Sequence, residues 1–264
     1  MELAYFTDEE YQRAFFEFGK FRAKVAKRIH EIARIDDGIV LDLLSGHGFL
    51  SMEFAKVFPD ALFLCTGLRN DADSYRNVNL SNRYPTHIIS QIQYIMCDVT
   101  RIPLRAASCE MIVNFLGLED VNMLYGKSGV MSLFEEASRL LKPNGLLQIS
   151  FVEYGNNPAE QIAKEIWNVI GLNAVFYDRD EYVEMLKPYR FEVTEEFVLK
   201  DNKKMTSDQA KEEIQFACNE APKIYSGFGV EAIPFDEIWE RFRMRIMKFG
   251  MGYWSPIRVM IFSR

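Results

Sequence analysis

The sequence contains no run of 18 or more apolar residues, and its opening stretch, MELAYFTDEEYQ, sets acidic rather than basic residues ahead of any apolar segment. A membrane-spanning helix needs about 20 apolar residues in a row, and a secretory leader needs a basic start before an apolar core. Neither is expected, and the chain reads as cytoplasmic. Cysteine is scarce: Cys65, Cys97, Cys109 and Cys218 form no Cys-x-x-Cys pair. The zinc and dithiol spacings are therefore missing, and buried free thiols are the expectation. The three histidines, His30, His47 and His87, are too dispersed to suggest a metal site, and no Ser-His-Asp or Cys-His set declares itself. Positive charge is in deficit, with 31 Lys and Arg against 38 Asp and Glu for a net charge of -7. Such a chain repels a phosphate backbone at long range, which argues against nucleic acid or an anionic membrane as the general partner. Two basic groups run against this balance: Lys20, Arg22, Lys24, Lys27 and Arg28, and Arg241, Arg243, Arg245 and Lys248. Both lie in amphipathic patterns and read as solvated helix faces.

What is present is a pattern of short apolar runs alternating with helical periodicity. Thr7 followed by Glu10 makes a capping-box start, and Tyr11, Phe15, Phe18, Val25, Ile29 and Ile32 recur at helical spacing. Strands are predicted at about 39 to 44, 61 to 67, 92 to 97, 110 to 116 and 145 to 153, with helices at about 48 to 57, 71 to 82 and 129 to 142. Nearly continuous apolar strands such as ALFLCTG and EMIVNFLG imply a parallel sheet covered on both faces. Beyond residue 153, Asn157-Pro158 opens a helix to about Gly171 and Asp178 to Lys187 forms another, then RFEVTEEFVLK reads as a strand. Helices at about 206 to 220 and 235 to 249 precede a last strand in PIRVMIFSR. Nothing resembling a repeat or a Pro/Gly linker divides the chain, so one domain is expected, with a helical lid over 1–37, a core over 38–153, and the second half of the sheet over 154–264 carrying a helical insertion at 203–250.

In a doubly wound sheet, ligands sit beyond the carboxyl ends of the strands, so the loops there carry the chemistry. The first such loop is in VLDLLSGHG, where Gly46 and Gly48 permit positive φ and close approach of a ligand to the backbone. Amides at the start of the following helix favour a carboxylate or phosphate. Asp98-Val99 ends the third strand as a carboxylate beside an apolar side chain, a pair suited to an adenine amino group and its ring. Asn114 and Phe115 end the fourth strand above the glycine turn. Glu119 and Asp120 follow as candidates for a base, a substrate contact or a helix cap, while His47 reads as exposed loop filler. Tyr5, Phe6, Tyr11, Phe15, Phe18, Tyr154, Tyr225, Phe228 and Trp254 read either as packing or as a roof over an apolar cavity for a small molecule.

The series VLDLLSGHG, CDVTRIPL, MIVNFLGLED and EEASRLLKPNGLLQIS resembles the class I S-adenosylmethionine-dependent methyltransferases, in order and in interval, over roughly residues 38 to 153. The resemblance implies an α/β, Rossmann-like fold: a doubly wound, seven-stranded, mostly parallel sheet whose last strand is antiparallel, with N-terminal helices and a late helical insertion. It implies S-adenosylmethionine as cofactor and methyl transfer as activity. Carried over position by position, the cofactor-binding set is Asp42, Leu44, Ser45, Gly46, Gly48, Leu68, Arg69, Asp98, Val99, Asn114 and Phe115. Two positions depart from the pattern. Leu44 stands where the family has its first glycine, and Arg69 stands where an acidic residue would accept the ribose hydroxyls; Asn70, Asp71 or Asp73 are the substitutes within reach. These departures motivate a catalytically silent binding or regulatory protein as an alternative. The basic N-terminal helix motivates an RNA methyltransferase, and Arg69 a nicotinamide oxidoreductase, against which Ser51 stands where a dinucleotide fingerprint wants Gly or Ala.

Overall fold

The computed structural model describes residues 8–35, 37–68, 72–73, 75–76, 84–201 and 203–264, with side chains from Phe18 onward apart from Ile224. A seven-stranded sheet is ordered β3-β2-β1-β4-β5-β9-β6. Its strands are β1 (Ile39–Leu43), β2 (Leu62–Gly67), β3 (Ile92–Met96), β4 (Cys109–Asn114), β5 (Leu141–Val152), β6 (Glu192–Leu199) and β9 (Ile257–Ser263). Strands β1 to β5 pair in parallel, and β9 runs antiparallel to both β5 and β6. This is the doubly wound, mostly parallel sheet expected from the sequence. Strand order reverses at β1 and β4, where the chain leaves β1 toward β2 on one side and returns to β4 on the other.

Alternation along β1 shows why both faces are covered. Val40 packs into one apolar cluster with Phe54, Phe58 and Phe63, whereas Leu41 and Leu43 pack into another with Ile112, Leu133, Phe134 and Phe151. The first face is covered by helices α1 (Asp8–Ile32) and α2 (Phe49–Ala55), and the second by α3 (Leu118–Leu140) and α5 (Arg179–Leu186). Helix α4 (Pro158–Val169) is capped by Asn157, whose side chain accepts the Glu160 amide. Between β6 and β9 the chain forms β7 (Lys204–Met205), α6 (Ser207–Asn219), α7 (Phe235–Phe249) and β8 (Met251–Gly252). With α4 these build a third cluster around Tyr154, Ile162, Trp167, Ile214 and Phe242, next to the carboxyl end of β5.

Three local features depart from the sequence reading. The helix expected at 129–142 begins at Leu118, because Gly126, at φ 65° and ψ -170°, takes a conformation open to glycine alone and hides the helical period across it. One helical turn at Thr86–Ile89 and the two-residue strands β7 and β8 are too short to leave a periodic signal. Of the helix expected at 71–82, residues 72, 73, 75 and 76 are helical and the rest lie outside the described residues, as does Thr7 of the expected capping box.

Helix α1 is part of the core from Phe21 onward. Phe21, Val25, Ala26 and Ile29 are at most 2% exposed. On its outer side Arg28 pairs with Glu195 of β6, and Lys20 pairs with Asp201 at 2.6 Å. Truncating Ile29 to Ala should therefore cost about 2–5 kcal/mol by emptying a fully buried site. Urea unfolding would measure it, and a cost near zero would mean that α1 is not docked in solution.

Candidate active site

The turn after β1 is held from three sides. Asp42, 1% exposed, accepts the Ser51 amide at 3.2 Å and the Ser51 hydroxyl at 2.7 Å, which ties the first turns of α2 back to β1. Thr66 of β2 donates its hydroxyl to the Asp42 carbonyl at 3.1 Å, and the Thr66 carbonyl accepts the Ser45 amide at 2.9 Å and the Ser45 hydroxyl at 3.1 Å. From the other flank Asn114 of β4, fully buried, donates Nδ2 to the Leu43 carbonyl at 3.0 Å and to the Leu116 carbonyl at 2.7 Å. The acidic start of the motif therefore orders the turn. Burial pushes the Asp42 carboxyl up to about 7, against the opposing pull of Ser51 and the Arg22 charge.

Leu44 itself takes a left-handed backbone, at φ 55°. A left-handed leucine costs about 1–2 kcal/mol. The compensation lies across the site: a Cβ built on Gly117, at φ 93°, would stand 3.3 Å from the Leu44 Cβ. Gly48 is confined in the same way, with Tyr75 at 3.1 Å and Cys65 at 3.4 Å from a built Cβ. Gly46 differs. At φ 51° its built Cβ meets no atom within 4 Å, so the middle of the turn faces open space.

His47 corrects the expectation of an exposed residue. It is 8% exposed and stacks on Phe49 at 5.1 Å with the rings 4° from parallel. Burial, with the Arg22 charge second, lowers its pKa to about 4, so it is neutral at physiological pH. Arg22 corrects the expectation of a solvated face: it is 6% exposed, its guanidinium 5.0 Å from the Phe49 ring centroid and 5.9 Å from that of Phe115. Periodicity gave no sign of either, because a cation one step off the apolar stripe of α1 reads as surface. The helix-start amides also offer less than expected, since α2 spans 7 residues and gives one of its first amides to Asp42.

Asp98 is exposed beyond β3 and Val99 is buried beside it. Asp98 Oδ1 accepts the Thr100 amide at 2.9 Å and hydroxyl at 2.7 Å, and Oδ2 accepts the Tyr125 hydroxyl at 3.4 Å. Tyr125, one residue before the Gly126 kink, also meets the Phe228 ring edge-on at 5.6 Å, so the late insertion reaches this end of the site. Leu68 is 41% exposed after β2. Arg69, Asn70 and Asp71 lie outside the described residues, and Asp73 pairs with Arg76 at 2.9 Å.

Aromatic rings close over β4 and β5. Phe18 of α1 touches Phe115 at 6.2 Å and stacks on Tyr253 at 6.0 Å, joining the N-terminal helix to the segment after β8. Tyr154, Phe176, Trp167 and Trp254 form a contiguous wall with centroid separations of 5.3 to 6.4 Å. Tyr225 is buried in the same cluster, while the side chains of Tyr5, Phe6, Tyr11 and Phe15 lie outside the described residues. Glu119 is buried and accepts the Gly117 amide at 3.2 Å, a capping contact, and burial raises its pKa.

Residues 41–149 match the family model described as a methyltransferase domain. No curated protein matches the sequence. Among solved structures the chain is similar to a candidate methyltransferase from Bacillus halodurans, with a TM-score of 0.59 at 15% identity over 92% of this chain and 97% of that one. It is similar to a candidate sarcosine dimethylglycine methyltransferase from Galdieria sulphuraria, with a TM-score of 0.57 at 14% identity over 96% and 86% of the two chains. A third is phosphoethanolamine N-methyltransferase 2 from Haemonchus contortus in complex with S-adenosyl-L-methionine, with a TM-score of 0.56 at 15% identity over 100% of this chain and 58% of that one. At these identities the likeness is one of fold.

Two outcomes follow from the turn. Gly117→Ala should destabilise the protein by at least about 1 kcal/mol, and by less in a Leu44→Gly background; a double-mutant cycle in urea with no coupling would show that the two positions do not interlock. His47 is neutral when folded and has an ordinary pKa near 6.5 when unfolded, so its contribution is complete above pH 6.5 and lost as pH falls toward 4. Wild type should accordingly lose up to about 3 kcal/mol more than His47→Gln between pH 7 and 4, measured by urea unfolding at each pH. Equal slopes would mean that His47 is solvated.

Proposed function

Because this chain carries a class I S-adenosylmethionine-dependent methyltransferase domain, we propose that it transfers the cofactor's methyl group to a small-molecule acceptor held between the strand ends and the aromatic wall. The observation that carries this reading is the open space above Gly46, where a side chain would meet no atom within 4 Å, in the turn that follows the first strand of the methyltransferase domain. A bound S-adenosylmethionine supplies an electrophilic methyl group on a sulfonium. The residues of this chain then have three tasks. Ser45, Gly46 and Gly48 offer main chain to the methionyl part. Asp98 accepts a hydrogen bond from the adenine amino group, in place of or beside Tyr125, with Val99 as the apolar base under the ring. Asn114 keeps the two loops in register around the reacting end.

Methyl transfer by in-line displacement needs alignment and exclusion of water more than it needs a dedicated base. Phe18, Phe115, Tyr253, Tyr154, Phe176 and Trp254 suit that task, since they join the N-terminal helix to the late insertion over the strand ends. The net charge of -7 disfavours RNA and so favours a small-molecule acceptor.

Calorimetric titration with S-adenosylhomocysteine, followed by incubation of the protein with methyl-labelled cofactor and fractionated cell extract, tests the proposal. The label should enter the small-molecule fraction; label found only in RNA or protein would overturn the acceptor class. Gly46→Val should weaken cofactor binding by about 100-fold or more while leaving the helical circular dichroism intact, since the added side chain strains the left-handed turn locally and enters open space rather than protein. Unchanged binding would place the cofactor elsewhere.

A further inference from the structure

Helix α7 buries Ile238, Phe242 and Ile246 in the third cluster and turns its opposite side outward. On that side Met244 is 69% exposed and Met247 67%, the two most exposed large apolar side chains among the described residues. They stand three residues apart, so they are neighbours on one helix face. A helix face turned to water carries polar residues at such positions, and two adjacent methionines there make an apolar patch of the soft, adaptable kind suited to a contact. Their charged neighbours have a sense. Glu240, Met244 and Lys248, all exposed, follow at intervals of four and so form one ridge along the helix, acidic at one end and basic at the other. Arg243 pairs with Oε2 of Glu240 at 3.0 Å, whereas among the described residues no carboxylate pairs with Lys248.

We infer that this face is a contact between two copies of the chain, whose α7 helices cross in antiparallel sense on a two-fold axis at Met244. A two-fold contact brings a surface against itself, so the surface must be its own complement. The ridge meets that condition. With Met244 on the axis, Glu240 of each copy faces Lys248 of the other, and the pair forms twice. The same operation lays Met247 along the aliphatic stem of Arg241 from the other copy. A parallel crossing would instead set glutamate against glutamate and lysine against lysine. The cations of α7, read from the sequence as a solvated face, thereby acquire a partner of opposite charge. One helix face buries less than the roughly 800 Å² per partner of a standard interface, so the dimer is expected to be weak, with a Kd of about 1–100 µM.

Sedimentation equilibrium on the full chain tests the contact. Between about 1 and 300 µM, wild type should show a closed monomer–dimer equilibrium. Met244→Asp, which places two carboxylates at the axis, should raise the Kd at least about tenfold. Glu240→Lys and Lys248→Glu should each raise it about five- to tenfold, because either one creates two like-charged pairs across the axis. The double variant Glu240→Lys/Lys248→Glu reverses the ridge without spoiling its complementarity, and should return the Kd to within about twofold of wild type. All three side chains are exposed, so these changes leave the folded monomer in place. Wild type that stays monomeric at about 300 µM, a result independent of any variant, would overturn the assignment. So would a dimer indifferent to Met244→Asp, which uses another face, or open-ended association beyond the dimer. A double variant as weak as the single reversals would overturn the antiparallel register.

Discussion

The buried Asp42 carboxylate and its two bonds to Ser51 are the constraint on which the candidate active-site end of this molecule depends. A strand that ends in a loop has no reason to present that loop in one conformation. Here the loop is fixed because the residue before it and the helix after it share one carboxylate, while Thr66 and Asn114 hold it from the neighbouring strands. The same bracing accommodates a leucine at a left-handed position. Strain of that size persists where the surroundings over-determine the backbone, and the cost of Leu44 is matched by the absence of a side chain at Gly117 on the facing loop.

Most of the architecture was legible in the sequence because its signals are local and redundant. Strands such as Leu62–Gly67 are nearly continuous apolar runs, since both faces of a parallel sheet are covered, and the caps at Asn157, Asp178 and Thr206 set the starts of three helices within a residue or two. What escaped was nonlocal. The apolar stripe of α1 told that the helix packs, but it did not reveal that Arg22 lies under the rim of the site. Nor did His47, flanked by two glycines, announce that it would stack on Phe49. Gly126 broke the period of α3 and concealed its first two turns, the ones that carry Tyr125 to Asp98.

The candidate site is assembled from distant parts of the chain. Its floor comes from the first strand-turn-helix unit, one wall from the ends of β4 and β5, and its cover from Phe18 of the first helix stacked on Tyr253 near the last strand. Electrostatics follow the same division. The chain is acidic as a whole, yet the interior of the site carries the Arg22 cation, a histidine kept neutral and a carboxyl group raised toward neutrality.

The position of β9 has a consequence for the order of assembly. It lies between β5 and β6 and bonds to both, although β6 precedes it by more than 50 residues in the chain. Emerging from a ribosome, β6 has no neighbour to join, and the edge of β5 stays open until Ile257–Ser263 slots in between. The first five strands can zip up as they appear, whereas closure of the far edge is necessarily a late, long-range event, and until then the nascent molecule displays an unguarded strand edge of the kind chaperones recognise.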